Sequence, residues 1–275
     1  MIWTLIAALG CGTKGETAPE PTEPSETEPS ETEPPETTPE PPASWRYRLD
    51  AFRAYLVEDE GIDQDGDGTG DNATPDALEL VDALLVDVDA SAEGLNRTVA
   101  DAMATGTLIL LAEATFEPEL TVDLLTGVEI GRLPVPDAIS YGDDGLPLAR
   151  LVGAFGDDGA SFTASADRVL VSIPFFPEEP ALPFPIERAT MVGTLEEAGF
   201  TGDLYGVIPA DDLYTLLIVP LLEDAFPDAE ERATYLELTA EVLENEELMD
   251  IDLGGGRRGV SCAFTLLASP SAWGG

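Results

Sequence analysis

The sequence predicts an α+β fold: an antiparallel β-sandwich-like module with flanking helices, preceded by a segment that cannot pack a core. Apolar runs separated by Gly, Pro and Asp clusters fill residues 107–208, the punctuation of antiparallel strands. Helical apolar spacing brackets them, at 75–88 and 94–104 on one side and 211–222 and 228–245 on the other. Strands massed between helices favour an antiparallel layer over an alternating parallel sheet. Residues 12–44 hold nine Pro, nine Glu and no large apolar side chain, so they have nothing to bury.

The elements follow in chain order. Met1 to Gly10 is apolar but far shorter than the roughly 20 residues a spanning helix needs. It stops at Cys11-Gly12, the profile of an export signal's apolar segment. Behind it a five-residue unit repeats three times, as Glu23 to Thr27, Glu28 to Thr32 and Glu33 to Thr37. Proline at this density favours polyproline II at about 3.1 Å per residue, so the stretch reaches up to roughly 100 Å. Ala8-Leu9-Gly10-Cys11 resembles the bacterial lipobox. That resemblance implies acylation of Cys11, which would become the mature N-terminus and tie the chain to a membrane. The division expected is a lipoprotein-type signal peptide at 1–10, an acidic Pro/Glu/Thr-rich stalk at 11–44 and a globular domain at 45–275.

Within that domain the first strand is expected at Trp45 to Leu56, followed by an Asp/Gly loop from Glu58 to Asn72. A helix follows from about Pro75 to Val88, with Leu78, Leu80, Val81, Leu84, Leu85 and Val88 on its apolar side and proline in its first turn. A second helix, about Gly94 to Ala104, ends at Gly106, as C-terminal capping prefers. Strands are expected at Thr107–Thr115, Glu119–Ile130, Leu148–Ala154, Ser161–Phe176 and Thr190–Ile208. An apolar helix from Asp211 to Leu222 is interrupted or ended near Pro220, a Glu-rich one covers Asp228–Asn245, and a last strand runs from Gly259 to Ala268.

Charge and composition narrow the chemistry. The chain carries 55 acidic and 12 basic residues, no histidine and a formal charge of −43. The part after the stalk keeps 46 acids against 11 Arg and has no lysine. Such a field repels phosphate backbones, so nucleic acid is not an expected partner. Without histidine there is no Ser-His-Asp or Cys-His nucleophile system and no His-ligated metal. Cys11 and Cys262 are the two cysteines. With Cys11 acylated, Cys262 in the apolar run Val260 to Phe264 reads as a buried inert thiol.

One segment carries the pattern of a cation site. From Asp63 to Asn72 acids alternate with glycines. Alternate carboxylates in a tight loop converge on a hard cation, and glycine permits the bend. Counted from Asp63, the loop has Asp63, Asp65 and Asp67 at positions one, three and five, Gly68 at six and Asp71 at nine, with Thr74 at twelve. Counted from Asp65, it has Asp65, Asp67 and Thr69 at one, three and five, Gly70 at six and Asp76 at twelve. Both frames stay open. The loop, taken as 63–76, resembles the calcium loops of thrombospondin type 3 repeats and dockerins, and more loosely the EF-hand. The resemblance implies Ca²⁺ bound through Asp63, Asp65, Asp67, Thr69, Asp71 and Asp76. An incomplete ligand set points to the weak extracellular range, about 10⁻⁴ to 10⁻³ M. The bland alternative is a solvated Asp/Gly turn.

The remaining features are simpler. Gly142 to Gly145 and Gly156 to Gly159 read most simply as hairpin turns, with a second cation site as the minor reading. Gly254-Gly255-Gly256-Arg257-Arg258-Gly259 lacks the strand-then-helix context of a phosphate loop, and its Arg pair with nearby carboxylates. The order of strand, Asp-Gly loop, two helices and Gly106-Thr107-Leu108-Ile109, with Gly202 to Pro209 later, is similar to uncharacterised exported bacterial proteins. The expectation is therefore a non-catalytic lipoprotein of the bacterial outer membrane or cell surface, lipid-anchored at Cys11 and carrying a structural calcium loop. Two rivals stand beside it: a secreted carboxylate-dependent hydrolase, and a salt-adapted acidic module with no specific ion site.

Overall fold

The computed structural model describes residues 44–57, 61–84, 91–173, 182–244 and 248–273. These residues form one compact unit. The anchor and stalk expectations, Cys11 included, lie outside the described residues.

The strands close into a barrel, which corrects the sandwich-like α+β expectation. In chain order they are β1 (Ser44–Ala54), β2 (Ile109–Thr115), β3 (Leu120–Ile130), β4 (Leu133–Pro136), β5 (Arg150–Phe155), β6 (Ser161–Ile173), β7 (Leu182–Glu196), β8 (Gly199–Pro209), β9 (Ile251–Gly254) and β10 (Arg257–Pro270). The sheet runs β1-β2-β3-β5-β6-β7-β8-β10, and β10 pairs back onto β1, with Tyr47 opposite Pro270 and Ala54 opposite Phe264. Eight antiparallel strands thus close on themselves, while β4 and β9 extend β3 and β10. A sandwich would leave β1 and β10 as open edges, whereas closure satisfies their backbone groups.

Alternation along the strands decides what faces where. Tyr47, Leu110, Val122, Leu151, Phe162, Met191, Leu204 and Phe264 are buried inside the barrel. Outward positions carry Arg46, Glu113, Asp123, Arg150, Thr194 and Asp203. A barrel that spans a bilayer has the reverse pattern, apolar outward. Among the described residues no helix is long and apolar enough to cross a membrane. Side chains fill the interior. Its internal cavities, one lined by Leu78, Phe184 and Phe264 among others, hold about 20 Å³, room for roughly one water. Where strands curl tightly, glycine is required: a Cβ on Gly193 would sit 2.1 Å from the Thr201 carbonyl oxygen on β8.

The two ends of the barrel differ. Tight hairpins link β2 to β3, β5 to β6 and β7 to β8 at one end, where Trp45 meets Phe116 edge-on at 4.6 Å and Tyr47 and Phe162 flank Phe200. All helices enter at the other end. α1 (Thr74–Leu84) and α2 (Ala92–Thr105) lie between β1 and β2, and α3 (Ala210–Leu213), a π-turn at Tyr214–Ile218, α4 (Val219–Ala225) and α5 (Ala229–Leu243) follow β8. Ser91 caps α2 through the Gly94 N–H at 3.1 Å, and Gly106 closes it in the left-handed conformation. Ala77, Leu78, Leu95, Leu213 and Leu217 reach down onto Ile173, Phe184 and Ile208, so the helices plug this end.

Several element boundaries differ from the sequence reading. Thr190 to Ile208 is a hairpin rather than one strand, because its Glu197-Ala198 turn lacks the Asn-Gly or Asp-Gly signature. β7 starts early despite Pro183 and Pro185; its pairing with β8 runs from Glu187 to Glu196, leaving an edge free beside both prolines, where a missing N–H costs no ladder bond. The last residues expected in the first helix, from Leu85, and in the Ser161–Phe176 strand, from Pro174, lie outside the described residues. The Gly142–Gly145 and Gly156–Gly159 turns close with N–H to carbonyl bonds of 2.9 and 3.0 Å. Gly254 to Gly256 turns β9 into β10, and Arg257 pairs with Glu187 at 2.6 Å. Cys262 is fully buried inside the barrel, and burial pushes its thiol well above the ordinary range.

Candidate metal site

The Asp/Gly loop leaves β1 at the helical end of the barrel. Its neck is a two-strand bridge: the Asp71 N–H donates to the Ile62 carbonyl at 3.1 Å. Gly61 sits so close beneath that a Cβ would lie 1.7 Å from the Asp71 carbonyl oxygen. Inside the loop, side-chain oxygens replace a regular ladder. Asp63 accepts the N–H groups of Gly66 (2.6 Å) and Gly68 (2.9 Å). Asp65 accepts that of Asp67 at 2.9 Å, and Asp67 that of Thr69 at 2.7 Å. Gly66 and Gly68 have φ of +89° and +95°, which side chains disfavour.

This winding brings Asp63, Asp65 and Asp71 together, with one carboxylate oxygen of each within 4.8 Å of the others. They are positions one, three and nine counted from Asp63, so the geometry follows the first of the two frames. Asp67 and Thr69 lie on the exposed outer bend, and Asp76 in the first turn of α1. Asp71 is the half-buried member, accepting the N–H groups of Gln64 at 2.5 Å and Asp65 at 3.3 Å. Burial raises its carboxyl pKa, and the nearby Asp65 and Asp67 charges add to the rise, against the lowering effect of those two backbone bonds. A divalent cation would remove that repulsion. The oxygens are the hard donors that calcium and magnesium take.

The loop is fastened to the barrel at several points. Gln64 Nε2 donates to the Gly206 carbonyl on β8 at 2.9 Å. Asn72 Nδ2 donates to the Val57 carbonyl at 2.9 Å, while its buried Oδ1 has no partner among the described residues. The Ala73 N–H donates to Ser261 Oγ at 2.7 Å, and Thr74 Oγ1 donates to the Ser261 carbonyl at 2.7 Å. Ser261 in turn donates its hydroxyl to Asp250 at 2.5 Å and its N–H at 2.8 Å. Burial holds the Asp250 carboxyl above its ordinary range; the Ser261 bonds oppose this, and the charge of Asp71 adds to it. Sequence reading missed Asp250 and Ser261. Ser261 stands 188 residues from Ala73, with Asp250 11 residues before it, and no local pattern marks them.

Comparison with protein-family models, with curated proteins and with solved structures finds no match.

Proposed function

We propose that this chain is a non-catalytic bacterial surface lipoprotein, acylated at Cys11, whose barrel carries a structural calcium site at Asp63, Asp65 and Asp71. The convergence of those three carboxylates on a loop hydrogen-bonded to β8 and β10 carries the reading. Calcium there neutralises clustered charge and locks the connection between β1 and α1. The charged outer wall supports a barrel standing in water rather than in lipid.

The test is the thermal unfolding midpoint of the full chain with about 10 mM calcium against chelator at matched ionic strength. For a dissociation constant of about 10⁻⁴ to 10⁻³ M, calcium adds about 1.4 to 2.7 kcal/mol, or roughly 3 to 11 °C. The rise is expected to vanish in Asp63→Asn, Asp65→Asn. An equal rise with sodium would instead support a salt-adapted module without an ion site. Fatty-acid incorporation lost in Cys11→Ala tests the anchor separately.

A further inference from the structure

A groove of about 340 Å³ runs between β1 and α2, at the lower end of the range for ligand sites. It follows six consecutive strand residues, Arg48 to Arg53, with Ala100, Met103 and Ala104 of α2 as its opposite wall. Consecutive residues of both parities line it, as they do where a pocket runs along a strand's edge. Among the described residues that edge has no strand beside it beyond Arg48: β2 pairs with β1 over Ser44–Arg48. Just beyond, Ala54 turns both backbone groups to the Asn96 side chain, donating to Oδ1 at 2.7 Å and accepting from Nδ2 at 2.9 Å. Because N–H and C=O point the same way every second residue, Phe52 turns its own pair into the groove, where no strand meets it.

Charge marks the same edge. Arg46 is taken by Glu113 at 2.8 Å and lies over the Trp273 ring. Arg48 and Arg53 are exposed and have no ion pair among the described residues, in a module where acids outnumber Arg by 46 to 11. Asp50 between them is held by the Ser269 hydroxyl. The bulge at Asp50 puts Arg48 opposite Ser269 and Arg53 opposite Thr265, so six residues of β1 span five of its partner. Both Arg therefore point outward; Leu111 of β2 holds the place opposite Arg48, so a strand added in register meets Arg53 with residue i and comes within reach of the long Arg48 side chain with residue i+4 as it leaves the ladder.

We propose that the β1–α2 groove accepts an extended peptide segment of a partner protein, added as a strand along Leu49–Arg53 and carrying carboxylates at i and i+4 that pair with Arg53 and Arg48. Backbone bonds supply the attachment and the two Arg the selection. The partner is otherwise near neutral, since the module's surplus repels a polyanion. The chain's own stalk fits poorly: its repeats place Pro24, Pro29, Pro34 and Pro35 where a ladder needs N–H donors.

The test is calorimetric titration of the full chain with a capped nonapeptide of alternating Thr and Val bearing Glu at its third and seventh positions. Binding is expected to fall on the order of tenfold when both Glu become Gln, and equally in Arg48→Gln, Arg53→Gln, whose melting point should match the parent. Methylating the peptide's ladder-forming nitrogens should abolish it. Ala104→Arg, which fills the groove from α2, should abolish it too and serves if the double variant does not fold. Equal binding of the Glu and Gln peptides, or binding unchanged in the Arg or Ala104 variants, would overturn the proposal. So would a peptide of residues 21–40 that binds as tightly, since the groove would then belong to the stalk.

Discussion

Ser261 and Asp250 share two hydrogen bonds, hydroxyl to Oδ2 at 2.5 Å and N–H to Oδ1 at 2.8 Å, beneath the neck of the Asp loop. The same Ser261 oxygen accepts the Ala73 N–H, so one buried hydroxyl joins a carboxylate, the loop's exit and β10. Ser261→Ala removes all side-chain connections at once and leaves the Ala73 donor without its acceptor. The expected cost is about 1 to 3 kcal/mol, read from urea unfolding. A change under about 0.5 kcal/mol, the level of neutral surface substitutions, would mean that water replaces the hydroxyl.

Asp250 makes stability depend on pH. Its carboxyl is raised from the ordinary 3.8 by burial, so the folded chain takes up this proton at a pH where the unfolded chain does not. Between the raised native value and 3.8 this residue's contribution to stability grows as pH falls, and it is lost as pH rises. Asp250→Asn should remove that component: the difference in unfolding free energy between parent and variant should shift in the parent's favour on going from pH 7 to pH 4. A difference constant with pH would show that Asp250 is not the titrating group.

Arg150 grips Asp123 through two bonds of 2.7 Å across β3 and β5. The Asp123 side chain is 6% exposed and that of Arg150 35%. Arg150→Met strands a buried carboxylate, which costs about 3 to 5 kcal/mol at fully buried sites. Water reaching the Arg side lowers the expectation to about 2 kcal/mol, measured in urea. Arg150→Met, Asp123→Leu should recover most of the loss.

Gly193→Ala tests barrel closure directly. The added carbon would lie 2.1 Å from the Thr201 oxygen, on backbone that cannot step aside without opening the β7–β8 pair. The expected loss is about 3 kcal/mol or more, seen as a lower urea midpoint or as insoluble protein. A variant within 1 kcal/mol of the parent, a loss at the mild end for overpacking, would show that the strands can separate there at little cost.

Local chemistry was readable wherever one segment carried its own signal. Gly106 ends α2 because only glycine relaxes into a left-handed cap, and the two Gly-Asp-Asp-Gly segments turn because their backbone accepts it. The Asp/Gly loop was visible for the same reason, since alternating acids and glycines leave a chain few other ways to bend. In the sequence Asp67 carries the same weight as Asp63, yet it lies outside the group formed by Asp63, Asp65 and Asp71. Turn angles within the loop select the converging oxygens, and alternation alone does not contain them.

The sequence by itself determined that the middle of the chain is antiparallel β, that helices bracket it, and that an acidic loop joins the first strand to the first helix. Tertiary structure alone decided between sandwich and barrel. The alternation of Tyr47 and Leu49, resumed past the bulge by Phe52 and Ala54, suits either, because one buried face looks the same whether a second sheet or the far wall covers it. What differs is the pairing of Ala54 with Phe264 and Tyr47 with Pro270, across more than 200 residues, a register set by strand twist and closure. The Ser261–Asp250 support of the loop exists only because that closure carries β10 to β1.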